Sequence, residues 1–132
     1  MNFEHQQISI IRSDKIENAD IYYAIAEQCT LKIVFHDQQS YEVTDNDLFT
    51  CFCTLRTVFP TITFLCKGAK QNVYPSRMSR DMAGGRVAYE YQQGKNASTD
   101  DLVSIFDFED KDIVSPEKQQ ESFWAWIRSE RN

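Results

Sequence analysis

The sequence predicts an α+β fold: a single domain over residues 1–132, a mainly antiparallel sheet of about five strands with two or three helices packed on it. Three observations lead there. The chain has 132 residues, 42% of them apolar and 13% aromatic, a size and composition that suit one buried core. The strand-like segments 61–67, 86–91 and 102–108 follow one another without the crossover helix that parallel neighbours need. Two segments carry the chemistry of a helix start, around Asp47 and at Ser115-Pro116.

In chain order, residues 8–11 (ISII) read as a short first strand. Over 18–29 the apolar positions Ile21, Tyr22, Ile25, Ala26 and Cys29 recur at helical spacing, which predicts a helix. Residues 31–35 (LKIVF) put Leu31, Ile33 and Phe35 on one face of a strand. The polar segment 36–40 turns the chain, and 41–43 return as its hairpin partner. Thr44 followed three residues later by Asp47 resembles a capping box with Asp in place of Glu, so a helix is expected over about 45–59. Leu48, Phe52, Leu55 and Phe59 form its apolar face, and Pro60 ends it. The β-branched run 61–67 (TITFLCK) predicts a central strand and 102–108 (LVSIFDF) another. In the last segment Ser115 caps a helix, Pro116 takes its first position and Glu117 sits where the helix dipole favours an acid. Phe123, Trp126 and Ile127 make the stripe expected to dock on the sheet.

The stretch 72–95 (NVYPSRMSRDMAGGRVAYEYQQGK) has mechanics of its own. Pro75 stops the preceding strand, Ser76 caps a short helix, Gly84 ends it in the left-handed conformation, and Val87, Tyr89 and Tyr91 alternate as a strand. Arg77, Arg80 and Arg86 beside Gly84-Gly85 have the makings of a phosphate site, since guanidinium forks and backbone N–H groups near glycine both suit anions. The plainer reading pairs Arg77 with Asp81 four residues on, leaves the glycines to turn the chain, and buries Met78 and Met82 as core fillers.

Charge and motifs narrow the function. Net charge is −6, unevenly laid out: residues 67–95 carry six bases against two acids, residues 100–112 six acids against one base. An acidic chain does not suit a nucleic-acid binder and does suit a basic protein partner. There is no run of 18 or more apolar residues and no signal-peptide pattern, so no membrane contact and a cytoplasmic location are expected. Cys29, Cys51, Cys53 and Cys66 lack zinc-knuckle spacing and read as buried thiols; His5 and His36 have no ligand neighbours. No nucleophile elbow, P-loop or zinc-protease motif is present. The expectation is a non-enzyme without catalytic residues, metal or cofactor.

The acidic segment is the candidate contact surface. Asp107, Glu109, Asp110 and Asp112 crowd one strand end, with Asp100 and Asp101 just before it. Carboxylates this close repel one another until a cation or a basic protein relieves them, or else they form a solvated loop. Their spacing does not match a calcium-binding EF-hand loop.

The run Pro75-Ser76-Arg77-Met78-Ser79-Arg80-Asp81-Met82, then Gly84-Gly85-Arg86 and Ala88-Tyr89, with Asp101 to Phe106 behind it, resembles a signature of small bacterial immunity proteins from contact-dependent growth inhibition and polymorphic toxin systems. The resemblance covers about residues 61–108. It implies a non-enzyme that binds the C-terminal domain of a cognate toxin, expected to be basic and a nuclease, and blocks its active site or substrate groove. The contact residues expected on that reading are Asp107, Glu109, Asp110 and Asp112, then Asp100 and Asp101; the alternative is an anion or phosphate ligand, or an enzyme, at Arg77, Arg80 and Arg86.

Overall fold

A computed structural model describes residues 2–132. It is an α+β domain with a five-stranded antiparallel sheet in the order β4-β3-β2-β1-β5 and a three-stranded antiparallel sheet in the order β6-β7-β8. The first sheet comprises β1 (Glu4–Arg12), β2 (Lys15–Ala24), β3 (Cys29–Val34), β4 (Ser40–Asp45) and β5 (Thr63–Phe64); the second comprises β6 (Val73–Tyr74), β7 (Val87–Glu90) and β8 (Leu102–Ser104). Three helices complete it: α1 (Leu48–Val58), α2 (Arg77–Ala83) and α3 (Pro116–Arg128).

The first half departs from expectation. Residues 18–29 are not a helix. They form the second arm of a long β1–β2 hairpin and the turn that follows it. Ala19, Ile21 and Tyr23 are buried alternately, the period of a strand, whereas Ile25 and Ala26, which completed the helical pattern, are exposed. The hairpin turns at Ser13-Asp14, both at positive φ (53° and 63°), the geometry of the tight turn that matches strand twist. That turn usually announces itself with glycine and here does not. The segment 61–67 is not a central strand either. Two of its residues pair, as an edge strand beside Ile10 and Ile11 of β1, and Lys67–Ala69 coil into a 3₁₀ turn. Likewise 102–108 pairs with β7 only over Leu102–Ser104.

Local chemistry fixes the helices. The α1 cap is Asp47, whose carboxylate accepts from Thr50 N at 2.8 Å; Thr44 belongs to β4, facing Thr30. Ser76 caps α2 and Ser115 caps α3, each accepting from a backbone N–H three residues on. α1 packs on β3 and β4, setting Leu48, Phe52 and Leu55 against Leu31 and Ile33 in one core. Phe52 meets the edges of Phe64 and Phe106 at 5.7 and 5.5 Å between ring centroids. On α3, Phe123 stacks on Tyr74 at 4.2 Å and the buried Trp126 donates to the Gln92 and Lys95 carbonyls. Ile127, expected in the docking stripe, is exposed with Trp124.

One buried polar cluster joins the two halves. Gln119 of α3 is 0% exposed, and its amide nitrogen donates to the carbonyls of Gly68, Lys70 and Val73. Arg56 of α1, 5% exposed, donates to Gln119 Oε1 at 2.9 Å and to the carbonyls of Gly68 and Val114. Replacing Gln119 with Leu removes a hydrogen bond from each of three carbonyls, leaves Val73 O without its donor and orphans one Arg56 donor, so we expect Gln119→Leu to lose about 3 kcal/mol in urea unfolding. A loss under about 1 kcal/mol would show that water takes over those bonds.

Candidate functional site

Residues 105–114 are laid against 65–71 by five backbone hydrogen bonds. Gly68 N donates to Ile105 O, Lys67 N to Asp107 O, Glu109 N to Leu65 O, Gln71 N to Asp112 O and Val114 N to Ala69 O, all at 2.8–3.1 Å. Isolated bridges at Cys66–Phe108 and Lys70–Ile113 mark two short antiparallel registers, 65–68 with 105–109 and 69–71 with 112–114, and the loop turns between them. The acidic segment is thus a fixed part of the fold. Asp112 holds the left-handed conformation at φ 57°, which Asp tolerates better than most residues.

The fold sorts the six expected acids. Asp107, Asp110 and Asp112 are exposed on this loop, and none makes an ion pair among the described residues. Glu109, expected as an exposed contact, is half-buried beneath them: its carboxylate accepts from Lys70 Nζ at 2.8 Å and Lys67 Nζ at 3.1 Å. The same two lysines bind Glu90 of β7, closing a four-membered ion network. Asp101 is spent on a turn, its side chain accepting from Ser98 N at 2.9 Å, while Asp100 is exposed beside it. Both line a small cleft with Glu90 and Asn72, apart from the 107–112 loop in sequence.

Phe108 is the residue that sequence reasoning missed. Alternation along an expected 102–108 strand puts it on the inward face with Phe106. The strand instead stops at Ser104, the chain turns with Asp107 N donating to Ser104 O, and Phe106 stays buried while Phe108 emerges 60% exposed on the loop that carries the three free acids. The acid at each side of an aromatic was the only sequence signal available for it.

The arginine-glycine stretch is a structural corner. Arg80 donates to Asp47 Oδ2 and Thr50 Oγ1, both at 3.0 Å, and lies over the rings of Phe49 and Tyr74. Gly84 is left-handed at φ 61°, its carbonyl takes Leu48 N at 2.7 Å, and the N–H groups of Gly84 and Gly85 both turn back to Ser79 O. Those donors are therefore occupied. Arg86 sits 3.9 Å from Glu4, and Arg77 is exposed without a partner among the described residues. The 390 Å³ cleft that Arg80 lines, with Phe49, Tyr74 and Glu117, contains neither Arg77 nor Arg86. Met78 and Met82, expected in the core, are exposed.

Among the described residues no group of three or more His, Cys, Asp or Glu is placed to hold a metal ion, and no helix is long and apolar enough to cross a membrane. Cys29, Cys51 and Cys66 are buried, Cys53 is half-buried, and all four are free thiols. Burial pushes Cys51 and Cys66 up to about 12, so neither is a ready nucleophile. His5 pairs with Asp20 at 2.7 Å and stacks on Tyr22 at the surface.

Two outcomes test this description. Lysine hydrogen bonding, Lys70 foremost, holds Glu109 down at about 2, against an ordinary 4.5. A depressed carboxylate stabilises the fold above its unfolded value, and that contribution is lost as pH falls from 4.5 through about 2. The stability gap between wild type and Glu109→Gln should be open at about pH 6 and close by about pH 2 in urea titrations; a pH-independent gap would assign Glu109 a packing role instead. Separately, a Cβ on Gly85 would meet Asp47 Oδ1 at 2.8 Å with the backbone at φ 74°, so Gly85→Ala should cost about 2–4 kcal/mol in thermal or denaturant melts.

No family model matches the chain, and no curated protein matches it.

Proposed function

We propose that this chain is an immunity protein that binds and neutralises a cognate toxin domain through the loop 105–114. The observation that carries the reading is a backbone-fixed loop that exposes three acids, Asp107, Asp110 and Asp112, unpaired among the described residues, together with the ring of Phe108. An aromatic anchor with a charged rim is the anatomy of a binding hot spot, and a loop already ordered forfeits little entropy on association. A nuclease domain carries a basic groove for phosphates. Three carboxylates aimed at such a groove speed encounter by long-range attraction and occupy the positions that phosphates would take. Glu109 does not contact the toxin in this reading; with Lys67, Lys70 and Glu90 it stiffens the loop from below.

The test is coexpression with the toxin domain encoded immediately upstream, followed by titration of the purified pair. A stoichiometric complex is expected. Phe108→Ala should weaken it at least tenfold. Reversal of Asp107, Asp110 and Asp112 to Lys should slow association and flatten its dependence on salt. Glu109→Gln should act mainly on stability. Unchanged affinity after both the Phe108 and the triple-acid changes would remove the loop as the contact.

A further inference from the structure

α2 presents one exposed stripe of four side chains, Arg77, Met78, Asp81 and Met82, while Ser79, Arg80 and Ala83 turn towards the protein. Met78 is 67% exposed and Met82 81%. On a helix, residues four apart lie one above the other, so the methionines form one edge of the stripe and Arg77 with Asp81 the other. That charged pair is spaced for an internal ion pair and makes none: neither residue has an ion pair or a side-chain hydrogen bond among the described residues. Ile25 lies against Gly84 and adds another exposed apolar side chain at the end of the helix.

We propose that this stripe is a self-association surface, on which a second copy of the chain packs its own α2 in antiparallel orientation. A two-fold axis lying across the helices reverses their direction yet keeps each edge of the stripe opposite the same edge. Met78 then meets Met82 of the second copy, and Arg77 meets Asp81 of the second copy, each contact made twice. Parallel packing would set the methionines over the charges. The charge order along α2, base first and acid four residues later, is thus complementary to itself under one symmetry operation. Flexible methionines tolerate imperfect fit at such a contact. With a seven-residue helix at its centre, the interface falls below the standard size, so the association is weak and concentration-dependent.

Symmetry supplies a decisive experiment that is independent of the toxin reading. In Arg77→Asp both inter-copy pairs become acid against acid; in Asp81→Arg both become base against base. In an equimolar mixture of the two variants, both pairs are again opposite in sign. Sedimentation equilibrium should show wild type in a monomer–dimer equilibrium at high protein concentration, each variant alone monomeric, and the mixture dimeric as 1:1 heterodimers. Circular dichroism confirms that the variants keep their fold. A wild type that stays monomeric at every concentration overturns the proposal, as does a mixture that associates no better than its components.

Discussion

The buried guanidinium of Arg56 is the constraint on which the rest of the chain depends. It sits in the core with no carboxylate partner among the described residues, so its charge is stabilised by dipoles, the carbonyls of Gly68 and Val114 and the amide oxygen of Gln119, and by the face of Phe52, 5.4 Å away. Burial lowers its basicity accordingly. A buried cation in this position is tolerable only when every acceptor is correctly placed. Those acceptors come from the 3₁₀ turn after β5, the loop before α3, and α3 itself. Gln119 passes the requirement on, since its nitrogen holds Gly68, Lys70 and Val73 together. One charge thereby adds a polar tie between α1 and α3 to the apolar core that already joins the large sheet and α1 to Val73, Ala88 and Ile105.

Gly68 shows how tightly the node is drawn. Its carbonyl serves both Arg56 and Gln119, its N–H bonds Ile105 O, and an added Cβ would lie 2.8 Å from Ile105 Cβ. The acidic loop is laid down along the same segment, through Lys67, Ala69 and Gln71. Rigidity at the surface therefore descends from the core. Lysines 67 and 70 reach across to Glu109 and Glu90, cancelling the one loop acid that is desolvated and leaving the exposed acids uncancelled. An acidic surface costs the fold least when its buried member is paired and its exposed members are screened by water.

The corner at 72–95 has the same logic at smaller scale. Asp47 caps α1, accepts Arg80, and rests against Gly85, so a helix start, a cation and a glycine turn share one carboxylate. Folding requirements explain the run from Ser76 to Gly85: Ser76 caps, Arg80 neutralises, Gly84 and Gly85 admit the turn and the close approach. Its two methionines and Arg77 have no such structural duty and remain free on the outer face.

By itself the sequence determined the parts governed by neighbours in the chain. The Ser76 and Ser115 caps, the Gly84 stop, the α1 face of Leu48, Phe52 and Leu55, and the β3–β4 hairpin were legible because capping, glycine conformation and apolar periodicity act over a few residues. The α+β class followed from them. Tertiary structure decided what depends on distant partners. Residues 18–29 satisfy both a helical and an alternating pattern, and the strand prevailed because β1 and β3 lie ready on either side to take its hydrogen bonds. The run 61–67 lost its central place because its end, Leu65 O and Lys67 N, pairs with Glu109 and Asp107 of the 105–114 segment. The fates of Glu109 and Phe108, one drawn under two lysines and the other turned out to solvent, rest on contacts that span about 40 residues of chain or more in the first case and on where β8 stops in the second. Charge is written in the sequence, but which charges are free is written only in the fold.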